Sequence, residues 1–497
     1  MSKLLIWFAW IAVVRGVSTR YFCDLSRPPF KAKSLDKNLT NVTAQESVER
    51  NHTAILQHAL ATCQEIWIPS DLSLLTGPFN LSSNQVLTID GVLLATDNPA
   101  SYPIVAPLLG YGWSNDENCF PPDAAPHKIV IGKLRYAPFI GIFHASNVTI
   151  RGSGRIDGRG KPWWKNCTRC HYIRQQVGNE SLYCLTAGRP KLIEAQFVNG
   201  FSIYGGGDKQ DISSTPLTLA NSPFWTLTAH YSQTILISNL EILAPVTKIG
   251  NTDGANLDSC RNAEIQHLSI NNGDDGIALK SGLNGFGLNL GIPTENVWIN
   301  NITTKGRGGF AIGSEMSGGI RNITFSNSRL LGSRSILFKP SVGRGGYIDN
   351  IHFQNIQSSK ASFVMNHDGI PIMPNNHYVP LVSNIRFENV THVDLQRGFA
   401  SCSSANQSKC FNLTSDSSTE SPWSELLPST RFYTCKTAAN TMMEEVIQLP
   451  WPVCLPLDSP VNLWPDYPNW GPTRGNYSSL EACWEACTFN DVEQTQE

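Results

Sequence analysis

The chain has 497 residues, of which 16% are charged, and a formal net charge of -2. So even a balance gives no electrostatic footing for nucleic acid and no global attraction for an acidic polymer, so any such pull must be local. Gly (39) and Pro (30) are plentiful and Met (6) is scarce, which favours a turn-rich, β-rich fold over a helical bundle.

The N-terminus reads "MSKLLIWFAWIAVVRGVSTR", with Lys3 as a minimal positive region. Residues 4–14 form an apolar run too short to span a bilayer, and small residues follow at Gly16 and Ser18. This reads as a secretory signal peptide over residues 1–19. Asn-X-Ser/Thr sequons are dense, at Asn38, Asn41, Asn51, Asn80, Asn147, Asn166, Asn179, Asn301, Asn322, Asn389, Asn406, Asn412 and Asn476. The 13 cysteines suit an oxidising, extracellular compartment. "NCTRC" (Cys167, Cys170) is half a zinc site with no second pair at matching spacing, so disulfide bonding is expected and no metal. An odd count leaves at least one thiol free or paired between chains.

"ESVERNHTAILQHALATC", residues 46–63, carries a helical apolar pattern in Ile55, Leu56 and Leu60. From there on, one phrase recurs: Asn or a similar residue, two or three β-formers, then often Asn five residues later. It appears as "NVTIRG" (147), "TILISN" (234), "NAEIQH" (262), "NVWINN" (296), "NITFSN" (322), "NIHFQN" (350) and "NIRFEN" (384). From residue 234 the starts are 28, 34, 26, 28 and 34 apart. Each phrase is a short strand with Val, Ile or Phe inward and polar residues outward. A mostly-strand repeat of this size predicts a solenoid: an all-β, right-handed parallel β-helix with one coil per repeat, capped by the helix. The asparagines are expected to stack as ladders inside turns. The β-helix domain is placed at 20–400. A Cys-rich extension at 401–497 follows, ending near "YSSLEACWEAC", a short helix with capping-box spacing at Ser478 and Glu481.

Two stretches gather carboxylates on successive repeats, "GNTDGANLDSC" (250–260) and "NNGDDGIALKSG" (271–282). Matching positions of adjacent coils lie about 4.8 Å apart, so Asp253 can stand near Asp274 and Asp275. Such a trio suits Ca²⁺ binding, ordinary Asp-Gly turns, or acid/base chemistry in which like charges force pKa values apart.

"NTDG" followed 21 residues later by "GDD" resembles the signature of the polygalacturonase family, glycoside hydrolase family 28. "GSGRIDGRGKPWW" (152–164), "RPKLIE" (189–194), "NSPFWTL" (221–227), "ILAP" (242–245), "GGFAIGSEMSGGIRNI" (308–323) and "GRGGYIDNI" (343–351) match in order, closest to the plant and bacterial branch. The resemblance implies inverting hydrolysis of a pectic polysaccharide by a secreted monomer, with no cofactor, no nucleic acid and no membrane partner after signal cleavage. By carry-over, Asp274 is the general acid, Asp253 and Asp275 hold and activate water, and Asn251 supports the site. Substrate-binding candidates are Asn251, Lys280, Arg307 and Lys339; for Lys280 a solvated surface charge is the competing reading.

The pattern departs from the family at three positions. Arg307 in "GRGGF" stands where the family has His. Leu337 in "LFK" replaces an Arg, and Asn256 stands where Asp is common. Leu cannot make the planar bidentate pair that Arg makes with a sugar carboxylate. The resulting expectation is an active glycosidase with altered preference beside the cleaved bond. A catalytically weak pectin-binding relative and a polysaccharide lyase are the alternatives.

Overall fold

The computed structural model describes residues 21–36, 38–105, 108, 111, 135–167, 189–209, 211, 213–246, 249–283, 287–288, 290–340, 344–358, 361–363, 380–392 and 413–415. The expected signal peptide, Cys170 and nearly all of the 401–497 extension lie outside them.

The described chain is a solenoid of parallel strands, as the repeat predicts. The strands of the recurring phrase stack in one sheet, where Ser146–Gly152, Asn199–Gly205, Gln233–Leu243, Arg261–Asn272, Thr294–Gly306, Ile320–Leu330, Tyr347–Ser358 and Leu381–His392 pair in succession. The register keeps like with like. Val148, Phe201, Ile235, Ala263, Val297, Ile323, Ile351 and Ile385 form one inward column. All are buried, so each coil closes its core against the next. The sheet also extends to earlier coils that lack the phrase, through Val86–Ile89 and Glu65–Ile68. The Val86–Ile89 coil keeps a turn asparagine, Asn84, but not the full phrase, so the sequence alone does not align these coils with the repeat.

The asparagines do stack. Asn147 donates to Asn84, Asn296 to Asn262, Asn322 to Asn296 and Asn350 to Asn322, at 2.9–3.2 Å. A second ladder five residues along joins Asn355 to Asn327 and Asn389 to Asn355 at 3.0 and 2.8 Å. Every one of these ladder residues has φ between 48° and 64°. Asn tolerates this left-handed bend better than other non-glycine residues and its short amide can bond locally, which explains the recurrence of the residue.

The cap is the helix Val42–Thr62, four residues longer at its start than the apolar pattern indicates. Asn41 caps it, accepting from the Ala44 N–H at 2.9 Å. Leu56 and Ala59 are buried, and Ile55 and Leu60 pack against the solenoid core. A Cys23–Cys63 disulfide ties the first strand, Phe22–Asp24, to the end of the helix. Cys260 is free and buried.

A second parallel sheet, with nine strands among the described residues, carries the acidic motifs. Its middle runs Ile193–Gln196, Leu227–His230, Ala255–Asp258, Ile277–Lys280, Gly308–Gly313 and Arg334–Lys339. Inward residues such as Leu257, Leu279 and Phe310 belong to the core. The alternate residues face outward in two columns. Glu194, Thr228, Asn256, Ala278, Ala311 and Leu337 make the first. Gln196, His230, Asp258 and Lys280 make the second, with Lys339 continuing that face two strands on.

Candidate active site

Asp253 and the pair Asp274 and Asp275 lie in the turns that enter neighbouring strands, Ala255–Asp258 and Ile277–Lys280. A backbone bond from Gly254 N to Asp275 O (3.0 Å) joins the two turns, and one from Gly276 N to Gly309 O (2.8 Å) ties the second to the next strand. Asn272, fully buried, donates its amide to Thr252 O at 2.9 Å and to Asp275 O at 2.7 Å, so one side chain holds both acid-bearing turns. Glycine is required here for close approach. A Cβ on Gly308 would lie 1.8 Å from the Asp274 carbonyl oxygen, and one on Gly254 would lie 2.4 Å from Gly276 O.

The three carboxyls have different partners. Asp274, half-buried, accepts the Asn251 N–H on Oδ2 at 2.7 Å and the Asp275 N–H on Oδ1 at 3.1 Å. Asp275, buried, accepts Lys339 Nζ on Oδ2 at 2.6 Å. The adjacent aspartates thus reach in opposite directions along the stack, one to the preceding coil and one to a strand two further on. Asp253, 3% exposed, accepts from Asn256 Nδ2 at 3.0 Å. Burial, then the charge of Asp274, pushes the Asp253 carboxyl well above the usual range, and Lys280 and Lys339 only partly oppose this.

The raised proton affinity of Asp253 makes a stability prediction. A carboxyl whose folded pKa is raised releases its proton more readily from the unfolded chain. Stability therefore falls as pH climbs above the unfolded value of 3.8, and the deficit is complete above the folded pKa. Asp253→Asn is expected to stabilise the protein at pH 7, because the amide has no charge to bury beside Asp274. The gain should vanish near pH ~2.5, well below the unfolded value, where both states hold the proton. Urea unfolding at the two pH values checks this, and an equal gain at both would show that charge burial is not its source.

The cation candidates fare differently from the reading of Lys280 as a solvated charge. Lys280 is 3% exposed, bonds Glu315 Oε2 at 2.6 Å, and lies 4.7 Å from the centre of the Trp225 ring. Burial opposes its charge, but Glu315, Asp253 and Asp275 raise its pKa overall. Glu315 is held far below the usual carboxylate range: burial works against this, and Lys280 and Arg344 outweigh it. Lys339 is consumed by Asp275. Arg307 is half-buried next to Gly308; its backbone N–H donates to Asn272 O at 3.0 Å and its carbonyl accepts Ser333 Oγ at 3.0 Å. Leu337 packs with Ala278 and Ala311 in a small apolar cluster, all three buried. Among the described residues, no group of three His, Cys, Asp or Glu is arranged to hold a metal ion.

Sequence reasoning missed a buried polar hub on the N-terminal side of the acids. Glu194 accepts from Arg135 and Lys191. Lys191 Nζ also lies 2.8 Å from His230 Nε2, whose other nitrogen is 3.3 Å from Asp258 Oδ2, and Tyr111 donates to Asp258. Burial lowers Lys191 to about 8 despite Glu194. The one available signal was "RPKLIE", a stretch that carries part of the family resemblance but whose charges show no partner by spacing. Trp225 lies 5.1 Å from Lys191 and 4.7 Å from Lys280, which links the hub to the acids.

A parallel β-helix is the architecture on which the comparisons converge. The family model "Glycosyl hydrolases family 28" matches residues 62–420, and the chain belongs to that family. It is 35% identical over 324 residues to a "Probable polygalacturonase" of Vitis vinifera, covering 64% of this chain and 58% of that protein. It is 24% identical to an "Endo-polygalacturonase" of Pectobacterium parmentieri, covering 71% and 81%. The chain spans about half the length of several other curated relatives it matches, such as the Cryptomeria japonica polygalacturonase (52%). In fold it is similar to an exopolygalacturonase from Thermotoga maritima (TM-score 0.54, 22% identity, 69% and 76% covered). It is also similar to the polygalacturonase of Erwinia carotovora (TM-score 0.51, 20% identity, 76% and 97% covered). The plant and bacterial relatives agree with the branch to which the motifs are most similar.

Proposed function

We propose that the protein hydrolyses α-glycosidic bonds of a pectic polysaccharide with inversion. Asp274 acts as general acid, and Asp253 with Asp275 holds and activates water. The observation that carries the reading is the delivery of three carboxyls from adjacent coils into three different environments. This is what two-carboxylate hydrolysis requires of its acid and base. Asp275 is suited to the ionised, water-holding role by its ion pair with Lys339. Asp274 is the most exposed of the three and therefore the best placed to meet a leaving oxygen.

Substrate contact falls chiefly to Arg307, because Lys280 and Lys339 are committed to Glu315 and Asp275. An arginine side chain is a donor that does not serve as a proton shuttle, so the proton-linked role of the family His has no counterpart at Arg307. The Leu337–Ala311–Ala278 cluster offers no partner for a sugar carboxylate, which favours a neutral or substituted residue beside the cleaved bond. Export is part of the same proposal: the Cys23–Cys63 disulfide belongs to an oxidising compartment.

The test is incubation of purified protein with polygalacturonate, rhamnogalacturonan and xylogalacturonan. New reducing ends without an unsaturated product are expected. An unsaturated product would make the protein a lyase, and binding without cleavage across pH 4–8 would reduce it to a pectin-binding relative. Leu337→Arg is expected to raise preference for polygalacturonate over the substituted polymers by about tenfold, the scale on which a single binding contact discriminates. An unchanged preference removes the lost cation as the cause of specificity.

A further inference from the structure

Arg189 opens "RPKLIE", and nothing in the proposed mechanism uses it. Its side chain is 9% exposed and spans two turns. Nη1 donates to Pro223 O at 3.1 Å, Nη2 donates to Gly250 O at 3.0 Å, and the guanidinium lies 5.1 Å from the centre of the Phe224 ring. Nη2 also reaches Asn251 Oδ1 at 3.5 Å.

Gly250 C=O and Asn251 N–H belong to one peptide plane. That N–H is the 2.7 Å donor to Asp274 Oδ2. The arrangement is therefore a series: Arg189 binds the oxygen of the peptide whose hydrogen is given to the proposed acid. A cation on the carbonyl polarises the peptide and strengthens its N–H as a donor. It also fixes the plane's orientation at a residue held in the left-handed region, with Asn251 φ at 58°. Pro223 O anchors the other arm of the fork, so the plane is referenced to the preceding coil.

We propose that Arg189 is a positioning residue for Asp274, acting through the Gly250–Asn251 peptide to orient the carboxyl. The inference rests on the reading of Asp274 as general acid. Donation to a carboxylate favours its charged form, so a weakened Asn251 N–H leaves that form of Asp274 less favoured. A general acid works protonated, so the alkaline limb of the rate profile then moves to higher pH.

Arg189→Met keeps the stem and removes the donors; Arg189→Lys keeps charge but cannot bridge both carbonyls. For Arg189→Met, kcat is expected to fall roughly 10-fold to 100-fold with KM nearly unchanged, the pattern of a loss in transition-state geometry. The alkaline limb of kcat/KM is expected to rise, with Arg189→Lys intermediate in both respects. A folded variant with an unmoved alkaline limb, or one with raised KM and unchanged kcat, overturns the proposal. If Arg189→Met does not fold, the limb of Arg189→Lys decides in the same way. Asp274→Asn on the same substrate separates the two failures. Its retained activity sinks the acid assignment, whereas its inactivity beside an unmoved Arg189 limb sinks only the Arg189 role. A readout without turnover is a double-mutant cycle of Arg189→Lys and Asp274→Ala in urea unfolding. The two are expected to be coupled by about threefold or more in the unfolding constant, and additive effects would overturn the series through the peptide.

Discussion

Replacement of Asp274 by Asn is expected to lower kcat on the protein's pectic substrate by roughly 10²–10⁴-fold, the range that a positioned general acid contributes. The fold should survive the change. Asp274 is half-buried, and an Asn carbonyl can still accept the Asn251 N–H that Oδ2 accepts now. Substrate affinity should change little, since the acid acts on the leaving oxygen in the transition state more than on the bound sugar. Reducing-end assays beside thermal or urea unfolding make the comparison. Activity within tenfold of the parent protein would move the acid role to another carboxyl, and Asp253, whose carboxyl burial inclines to keep its proton, would be the first to examine.

The second large effect concerns stability. Lys339→Met leaves Asp275 as a buried carboxylate without its 2.6 Å ammonium partner. Breaking a buried pair from one side typically costs about 3–5 kcal/mol, because the remaining charge is uncompensated. Asp275→Asn added to Lys339→Met should restore much of that loss, since a neutral amide needs no counter-charge. The sign with pH follows from Lys339 itself. Burial opposes its charge, but Asp275 raises its pKa above the ordinary 10.5, so its contribution is intact through the neutral range, begins to fall as pH passes 10.5 and is gone once pH exceeds the raised value. Urea unfolding of the parent and both variants at pH 7 tests this. A loss below about 1 kcal/mol for Lys339→Met, or no recovery in the double variant, would show that the pair is not what holds Asp275. Activity should fall with Lys339→Met as well, because Asp275 loses the contact that keeps it ionised and in place.

The two expectations differ in how far the sequence prepared them. Asp253, Asp274 and Asp275 could be named from spacing, because two acidic stretches on consecutive repeats must lie a strand apart in a parallel stack. The trio's partners could not. Lys339 is 64 residues from Asp275, and Glu315 is 35 from Lys280. A solenoid whose turns vary in length between 26 and 34 residues brings such positions together only through register, which no local pattern encodes. For the same reason Lys280 was as readable as a solvated charge as a ligand, whereas in the fold it is a buried counter-ion. The helix cap was legible from its apolar face, but its true start was not, since Asn41 acts through a side-chain contact and not through hydrophobic period.

By itself the sequence determined the repeat, the stacking asparagines, the inward apolar columns and the presence of three acids on successive coils. These are local or periodic properties, and a parallel stack turns periodicity directly into neighbourhood. The tertiary structure alone decided which charges answer which. It assigned Lys339 to Asp275 and Lys280 to Glu315, buried Leu337 among alanines, and set the Gly250–Asn251 peptide between Arg189 and Asp274. Those pairings depend on where side chains end in space after several coils have closed. Electrostatic partnership at about 3 Å is settled by that final geometry and leaves no trace in residue spacing.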